Sequence, residues 1–254
     1  MQFFLYFDII DFVKSRWKMQ RYFVKGKDQN NNFIFEESDL HHIKNVMRYT
    51  SGDKIEVVFD KKVSICEIQN VDPIILKIEE EHDELSELPV ELTIAIGLVN
   101  EQKFDLIIQK ITELGVSKII PVQMERSIIK IDQNKFLKKK ERWQKICKEA
   151  SEQSHRTIIP QVTDIMTMKD LTQTEYDLKL LCSLSENTKQ LSTYLSNGIK
   201  KILFVIGPEG GISPKEEELL INNGFLKTTL SKRVMRVETA AIYVASVINY
   251  VYEG

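Results

Sequence analysis

Two loops near the C-terminus carry residues suited to holding a small ligand. The first is Ile206-Gly207-Pro208-Glu209-Gly210-Gly211, and the second is the segment LSKRVMRVETA from Leu230 to Ala240. Each follows an apolar strand-like run and precedes a helix-like run, and open α/β sheets bind ligands beyond the carboxyl ends of their strands. The glycines of the first loop let backbone approach a ligand closely. Because about one helix separates the loops, one sheet edge can carry both, which predicts a shared ligand site.

The pattern of the first loop limits the kind of ligand. The phosphate-binding patterns G-x-x-x-x-G-K-[ST] and G-x-G-x-x-G are both absent. The helix start that follows is already capped by Ser213, which disfavours an anion there. Taken alone, the loop could also be a tight turn without a ligand. The second loop, which adds Arg233, Arg236, Glu238 and Thr239, favours the ligand interpretation.

Together the loops resemble the family that methylates N3 of a uridine in bacterial 16S ribosomal RNA, within the SPOUT class of methyltransferases. The GPEGG loop matches, and Leu230 to Ala240 is close to the family pattern L-G-x-R-[VI]-L-R-x-E-T-A, with Ser231 replacing glycine and Met235 replacing leucine. Further matches extend the resemblance from about Met19 to the C-terminus. It implies an α/β fold with a SPOUT-type parallel sheet and a C-terminal trefoil knot. It also implies S-adenosylmethionine as cofactor. Backbone amides and carbonyls can hold the adenosine of this cofactor, so no phosphate-binding loop is needed.

The resemblance implies three sets of site residues. The catalytic candidates are arginines, since a guanidinium near a uracil oxygen would stabilise the anion left when N3 loses its proton; they are Arg236, Arg156 and Arg126. The implied cofactor-binding residues are Ile206, Gly207, Pro208, Glu209, Gly210, Gly211, Leu230, Ser231, Val234, Met235, Arg236, Glu238, Thr239 and Ala240. The implied RNA-binding residues are Arg21, Arg48, Lys103, Glu152, Gln153, Arg156 and Arg233.

Several of these motifs also have purely structural interpretations. Arg233 and Arg236 could form a basic turn before a helix with Glu238 as its N-terminal acid. The segment 149–156, which resembles the family's A-A-E-Q-x-x-R motif, could be a solvated helix end. The segment 135–148 carries seven basic residues and one acidic residue, which fits either a solvated helix face or a phosphate-tracking stripe. At the level of function, the alternatives are a non-catalytic RNA-binding or ribosome-assembly factor, and the same chemistry on another RNA.

Composition limits the class of protein and its partners. The chain has 254 residues, 43% of them hydrophobic, and a net charge of −2. It can therefore bury a core, and if it binds RNA it must do so through a local patch. The three cysteines, Cys66, Cys147 and Cys182, are widely spaced, which favours reduced thiols in the cytoplasm over disulfides. The four histidines show no metal-site spacing, so no metal is predicted. By resemblance the partners are 16S ribosomal RNA, in the small ribosomal subunit, and a second copy of the chain.

The pattern along the chain predicts two domains after an extension. Residues 19–88 read as short strands with turns at Gly52-Asp53 and Asp72-Pro73, which suggest a small barrel; by resemblance it is a PUA-like RNA-binding domain. The acidic run 79–87 predicts a solvated linker. Residues 89–254 alternate strands and helices, which predicts a parallel sheet; by resemblance this is the methyltransferase domain.

The first 18 residues are strongly apolar. They are too short and too interrupted by Asp8 and Asp11 to span a bilayer, and they lack the features of a signal peptide. Because the family-like start falls at Met19, we expect an extension without a catalytic part. The alternative is an amphipathic helix that packs on the body of the protein or on a partner.

Overall fold

The computed structural model describes residues 19–130, 133–183 and 188–253. The chain divides between Ser86 and Glu87 into two compact units, two residues before the predicted boundary. The predicted apolar extension, residues 1–18, lies outside the described residues. Within the described ranges, no helix is long and apolar enough to cross a membrane.

The first unit is built on a small sheet. A four-stranded sheet has the order β1-β4-β5-β6, and β2 pairs with β3 in a separate two-stranded sheet. The strands are β1 (Arg21–Phe23), β2 (Gly26–Lys27), β3 (Phe33–Ile34), β4 (Lys54–Phe59), β5 (Lys62–Val71) and β6 (Ile74–Asp83). Helix α1 (Glu37–His41) runs into a π-helical turn, His42–Val46. Alternate residues of the strands pack into one apolar cluster that includes Tyr22, Ile55 and Ile68, because successive side chains of a strand point to opposite faces.

Arg21 is part of this unit's interior, which corrects its predicted RNA contact. Its side chain is fully buried, and its Nε donates to Glu56 Oε2 over 2.8 Å. Its Nη2 donates to Glu84 Oε2 over 2.6 Å. A buried charge must be paired. One of the two carboxylates that pair with Arg21 is Glu84, which belongs to the acidic run. The run is therefore not the predicted solvated linker: it continues β6 to Asp83 and then balances a buried arginine.

The second unit alternates strands and helices as predicted. Its strands are β7 (Glu91–Gly97), β8 (Lys118–Gln123), β9 (Gln161–Val162), β10 (Met166–Thr167), β11 (Leu178–Cys182), β12 (Lys189–Gln190), β13 (Lys201–Ile206) and β14 (Leu226–Thr229). Its helices are α2 (Glu101–Glu113), α3 (Gln133–Gln153), α4 (Met168–Thr172), α5 (Pro214–Ile221) and α6 (Val237–Glu253), with a 3₁₀ turn at Leu191–Thr193.

These strands form one parallel sheet with both faces covered. The order is β10-β8-β7-β13-β11-β14-β12, and β9 also pairs with β8. Successive residues point into different clusters: Ile94 and Ile96 of β7 pack into one apolar cluster, and Ala95 packs into the other. Successive residues of the strand are therefore buried on both faces, as is typical of a parallel sheet covered by helices. The predicted α/β fold with a parallel sheet is confirmed, and the knot stays a prediction.

Local signals set the ends of the elements around the site. Ser213 caps α5, as predicted; it forms a capping box with Glu216, and Pro214 occupies the first turn. Gly115 ends α2 with φ +88°. The strand β11 was not predicted, although it lies between β13 and β14 in the sheet. The carboxyl ends of β13, β11 and β14 therefore lie side by side.

Candidate functional site

A cleft of about 670 Å³ lies at the carboxyl edge of the parallel sheet. Most of its lining lies at or just beyond the carboxyl ends of four strands, β8, β11, β13 and β14, and helices α2, α5 and α6 contribute the rest. Every predicted cofactor-binding position lines it except Glu238 and Thr239. The structure therefore places the two loops together at one sheet edge, as the sequence predicts. The size falls within the range of small-molecule sites, about 300–1,000 Å³.

The glycine-rich loop forms one wall of the cleft as a tight turn. The Gly211 N–H donates to Pro208 O over 2.8 Å, and Gly211 has φ +71°, a conformation that favours glycine. A Cβ on Gly210 would lie 3.0 Å from Arg126 Cβ and 3.2 Å from Arg126 O. Gly210 thus makes room for the neighbouring loop rather than for a ligand.

Arg126, a predicted catalytic residue, follows β8 and contacts the backbone of this loop. Its Nη1 donates to Gly210 O over 3.1 Å and lies 3.5 Å from Ile212 O. Next to it, Ser213 Oγ donates to Glu125 Oε2 over 2.6 Å, and the Glu125 N–H donates to Glu216 Oε1 over 2.8 Å. These bonds join the loop after β8 to the start of α5. The exposed Arg126 guanidinium lines the cleft, so a catalytic role for it stays a prediction.

Lys103, a predicted RNA contact, lies against the same loop from α2. Its Nζ is 2.8 Å from Glu209 Oε1. Partial burial raises the pKa of the Glu209 carboxyl, but the hydrogen bond and charge of Lys103 outweigh it, so the pKa lies below its ordinary value. The carboxylate is therefore ionised at neutral pH and the ion pair is intact.

The second loop forms the opposite wall and carries exposed arginines. The Arg233 N–H donates to Ser231 Oγ over 3.2 Å, and the Ala240 N–H donates to Arg236 O over 2.8 Å at the start of α6. Both arginine side chains are exposed and line the cleft. Among the described residues, the Arg236 guanidinium has no hydrogen-bond or ion-pair partner. Its five N–H groups are therefore available to an incoming acceptor.

The structure adds site residues that were missed from the sequence. Cys182 and Ser183 line the cleft at the end of β11, and Ser183 Oγ lies 3.4 Å from both carboxylate oxygens of Glu217. Burial raises the pKa of the Cys182 thiol to about 11, so it is protonated at neutral pH. Gly97, the last residue of β7, packs directly under Pro208. A glycine that ends an apolar strand is a signal of close backbone approach, so Gly97 was detectable.

Arg156 does not reach the cleft, which corrects its predicted catalytic and RNA-binding roles. It is 2% exposed, and its Nε and Nη2 donate to the Glu87 carboxylate over 3.1 and 2.5 Å. Its Nη1 donates to the carbonyl oxygens of Thr112 and Val116 over 2.9 and 2.8 Å. With these acceptors filling its donors, the guanidinium is not presented to a phosphate or a uracil oxygen. Its role in the second unit is structural.

We expect Arg156→Ala to lower the free energy of unfolding by about 3–5 kcal/mol, because it removes the charged partner of the Glu87 carboxylate and the donor to two backbone carbonyl oxygens. Urea denaturation followed by circular dichroism measures this loss. Lys145→Ala is the control: Lys145 lies 3.8 Å from Glu149 in an exposed pair, worth about 0–1 kcal/mol. An Arg156→Ala protein as stable as the control but weaker in RNA binding would restore the original prediction.

Helix α3 carries two further predicted RNA-binding residues, Glu152 and Gln153. Most of its basic side chains pair with acids; the pairs include Lys139–Glu101, Lys140–Asp164, Arg142–Asp105, Lys145–Glu149 and Lys148–Glu152. This favours a solvated, ion-paired face over a phosphate-tracking stripe. Gln153 lines a separate groove of about 380 Å³ between α2 and α3. The structure therefore does not bring Glu152 and Gln153 to the cleft.

The three cysteines are unpaired thiols. Cys66 and Cys147 are fully buried, and burial raises the pKa of their thiols to about 12 and about 11. Across the described ranges, no three His, Cys, Asp or Glu side chains are grouped so that they could hold a metal ion.

The fold and cleft define a two-unit protein whose parallel-sheet domain binds a small ligand at its carboxyl edge. Family models agree: residues 86–249 match an RNA methyltransferase domain and residues 35–81 match an RNA methyltransferase PUA domain. The chain is 39% identical to the ribosomal RNA small subunit methyltransferase E of Bacillus subtilis, over 91% of this chain and 96% of that protein. It is 34% identical to the same-named protein of Synechocystis, over 85% of this chain and 72% of that protein.

A solved structure gives the same result. The ribosomal RNA small subunit methyltransferase E of Neisseria gonorrhoeae, bound to S-adenosyl methionine, superposes with a TM-score of 0.83 at 26% identity. The match covers 92% of this chain and 98% of that one. The chain therefore belongs to the ribosomal RNA small subunit methyltransferase E family.

Proposed function

We propose that this methyltransferase transfers the methyl group of S-adenosylmethionine to N3 of a uridine in the decoding region of 16S ribosomal RNA. The observation that carries the proposal is the cleft that brings both C-terminal loops to one sheet edge. The match to relatives named as small subunit methyltransferases supports the RNA class. The N3 position rests on the resemblance of the two loops to the uridine-methylating family.

The lining of the cleft fits the cofactor. Ile206, Leu230 and Met235 offer apolar surface, while the two loops offer backbone amides and carbonyls. An adenosine needs an apolar slot with a few polar contacts to its edges, which this lining can supply. At Gly211 a Cβ would meet no protein atom within 4 Å, so the missing side chain leaves space for a ligand to approach the backbone. When bound, the cofactor supplies an electrophilic methyl group on a positively charged sulfur.

The residues around the cleft can promote loss of the uracil N3 proton. As that proton leaves, negative charge spreads to the neighbouring uracil oxygens. A guanidinium held near one of those oxygens stabilises the charge, and Arg236 and Arg126 are both cleft residues with exposed side chains. Holding the uracil in line with the methyl group supplies most of the remaining rate.

The RNA strand would lie along basic residues that remain exposed. Arg233 is such a residue beside the cleft. In the first unit, Arg48 is exposed and has φ +55°, two residues after the end of the π-helical turn. A non-glycine residue in that conformation is strained, and such strain clusters at functional sites. We assign both arginines to phosphate contacts, which would make binding salt-dependent.

The active form would be a homodimer. Helix α6 exposes an apolar stripe at helical spacing: Tyr243, Tyr250 and Val251 are 38%, 79% and 42% exposed. A second copy of the chain would cover it. Analytical ultracentrifugation tests this part, since a monomer at assay concentrations contradicts it.

The test of the function is methyl transfer to defined RNA. Purified protein is incubated with radiolabelled S-adenosylmethionine and either free 16S ribosomal RNA, small ribosomal subunits or bulk transfer RNA. We expect 3-methyluridine, identified by mass spectrometry of the digested nucleosides, only in the ribosomal substrates. A methyl group on transfer RNA or on another atom would exclude the proposed specificity. RNA binding without cofactor binding would support a non-catalytic assembly factor instead.

A further inference from the structure

We infer that Lys103 is a positioning residue for the cofactor loop and that it acts through Glu209, an inference that rests on the proposed function. Lys103 Nζ and Glu209 Oε1 are 2.8 Å apart, although the residues are 106 positions apart in the chain. The pair joins the first turn of α2 to the centre of the glycine-rich loop. Both residues would therefore serve cofactor binding without contacting RNA.

Lys103 is held in a fixed position by the start of α2. Its backbone N–H donates to the side-chain oxygen of Asn100, which caps α2, over 3.0 Å. The next residue, Phe104, is fully buried with its ring centroid 4.3 Å from that of Trp143. A capped helix end with a buried aromatic anchor fixes the direction in which Lys103 projects.

The glycine-rich loop, in contrast, loses much conformational freedom when it is ordered. Glycine loses more conformational freedom on ordering than any other residue, and three of the residues 207–211 are glycine. Glu209 is the loop's only residue whose side chain can form a hydrogen bond. Arg126 holds the backbone of Gly210 from one side, and Lys103 holds the Glu209 side chain from the other. The ion pair therefore restrains the loop at a point that Arg126 does not hold.

Two other roles for these residues make different predictions. If Lys103 held an RNA phosphate, Glu209 would compete for it, and Glu209→Gln would strengthen RNA binding. If Glu209 contacted the cofactor directly, its charge would favour the cationic S-adenosylmethionine over the uncharged-sulfur product S-adenosylhomocysteine. If the ion pair only restrains the loop, the charge on the cofactor sulfur does not matter. Breaking the pair would then weaken the binding of both cofactor forms equally.

The exposure of the Lys103 and Glu209 side chains sets the expected loss of cofactor affinity when the ion pair is broken. The two side chains are 30% and 35% exposed, and pairs of this kind contribute little, about two- to fivefold in an equilibrium constant at low salt. We therefore expect Lys103→Met and Glu209→Gln each to raise the dissociation constant of both cofactor forms by about two- to fivefold. The double variant should be no weaker than either single variant, because one interaction is removed in all three. Lys103→Arg should retain affinity.

The control is an ion pair of the same exposure at the opposite end of the sheet. Lys118 and Glu91 begin β8 and β7, lie 3.5 Å apart and are 32% and 36% exposed. Lys118→Met should leave cofactor affinity unchanged. It removes the same charge from the same unit, so it corrects for any general effect of net charge.

The experiment combines calorimetry with hydrogen exchange. Calorimetry gives the dissociation constants of both cofactor forms. Without ligand, hydrogen exchange at the backbone amides of Gly207, Glu209, Gly210 and Gly211 should be faster in Lys103→Met and Glu209→Gln than in wild type or Lys118→Met. In steady-state assays, KM for the cofactor should rise while kcat and KM for RNA hold. A changed KM for RNA, a loss confined to S-adenosylmethionine, or unchanged exchange would overturn the inference. If the wild-type protein binds neither cofactor form, the proposed function fails instead.

Discussion

The Gly97→Val substitution is expected to weaken binding of S-adenosylmethionine by at least about 100-fold, ~2.8 kcal/mol. A Cβ at this position would lie 2.5 Å from Pro208 Cδ and 2.6 Å from Pro208 N. Neither atom can rotate away, since one belongs to a proline ring and the other to backbone. The glycine-rich loop must therefore retreat from the end of β7, which removes one wall of the cleft.

The same clash also lowers stability. Overpacking of a well-packed site costs about 1–3 kcal/mol, so affinity is measured by calorimetry at a temperature where circular dichroism shows the variant folded. Gly97→Ala is the milder variant, with the Cβ contact but no further methyl groups. Gly26→Val is the control, because a Cβ on Gly26 meets no atom within 4 Å. If folded Gly97→Val protein binds the cofactor as wild type does, Pro208 does not fix the wall.

The sequence predicted the framework of the site because local signals specify it. The apolar run at Lys201–Ile206, the capping box at Ser213 and the glycine stop at Gly115 each act within a few residues. The carboxyl ends of parallel strands share one edge, so the pairing of the two loops followed. Strand β11 was missed, and with it Cys182 and Ser183, since its position between β13 and β14 depends on pairing across the chain.

The buried arginines were not predictable from local pattern. Arg156 stands among polar neighbours, and Arg21 begins a short strand, so neither local sequence signals a buried charge. Their partners, Glu84 and Glu87, are 63 and 69 residues away in an acidic run that looks solvated. Burial of such a charge depends on the folded arrangement of its partners. Composition alone therefore cannot separate these arginines from Arg233 and Arg236.

Arg236 is expected to act on the RNA or on the reacting uracil rather than on the cofactor. Its side chain is exposed and lines the cleft, and none of the described residues holds its guanidinium. A cationic side chain is repelled by a cationic sulfonium. Phosphate or a uracil oxygen would instead receive strong, charge-assisted hydrogen bonds from it.

The Arg236→Ala variant should therefore bind S-adenosylmethionine almost as tightly as wild type, while its turnover on ribosomal RNA falls by about 10²–10³-fold, the loss typical of a removed anion-stabilising donor. Arg236→Lys should recover little, because it retains the charge but loses the planar fork. Lys232→Ala is the matched control, since Lys232 is an exposed cation of the same loop that does not line the cleft.

Calorimetry and single-turnover kinetics at saturating RNA separate the possible outcomes. A loss in the chemical step with the cofactor dissociation constant preserved assigns Arg236 to the transition state, where charge develops on the uracil. A loss only in KM for RNA, with a shallower salt dependence, assigns it to a phosphate. Equal losses in cofactor affinity and turnover, or full turnover, would remove both roles and leave Arg126 as the remaining cleft arginine of the predicted catalytic set.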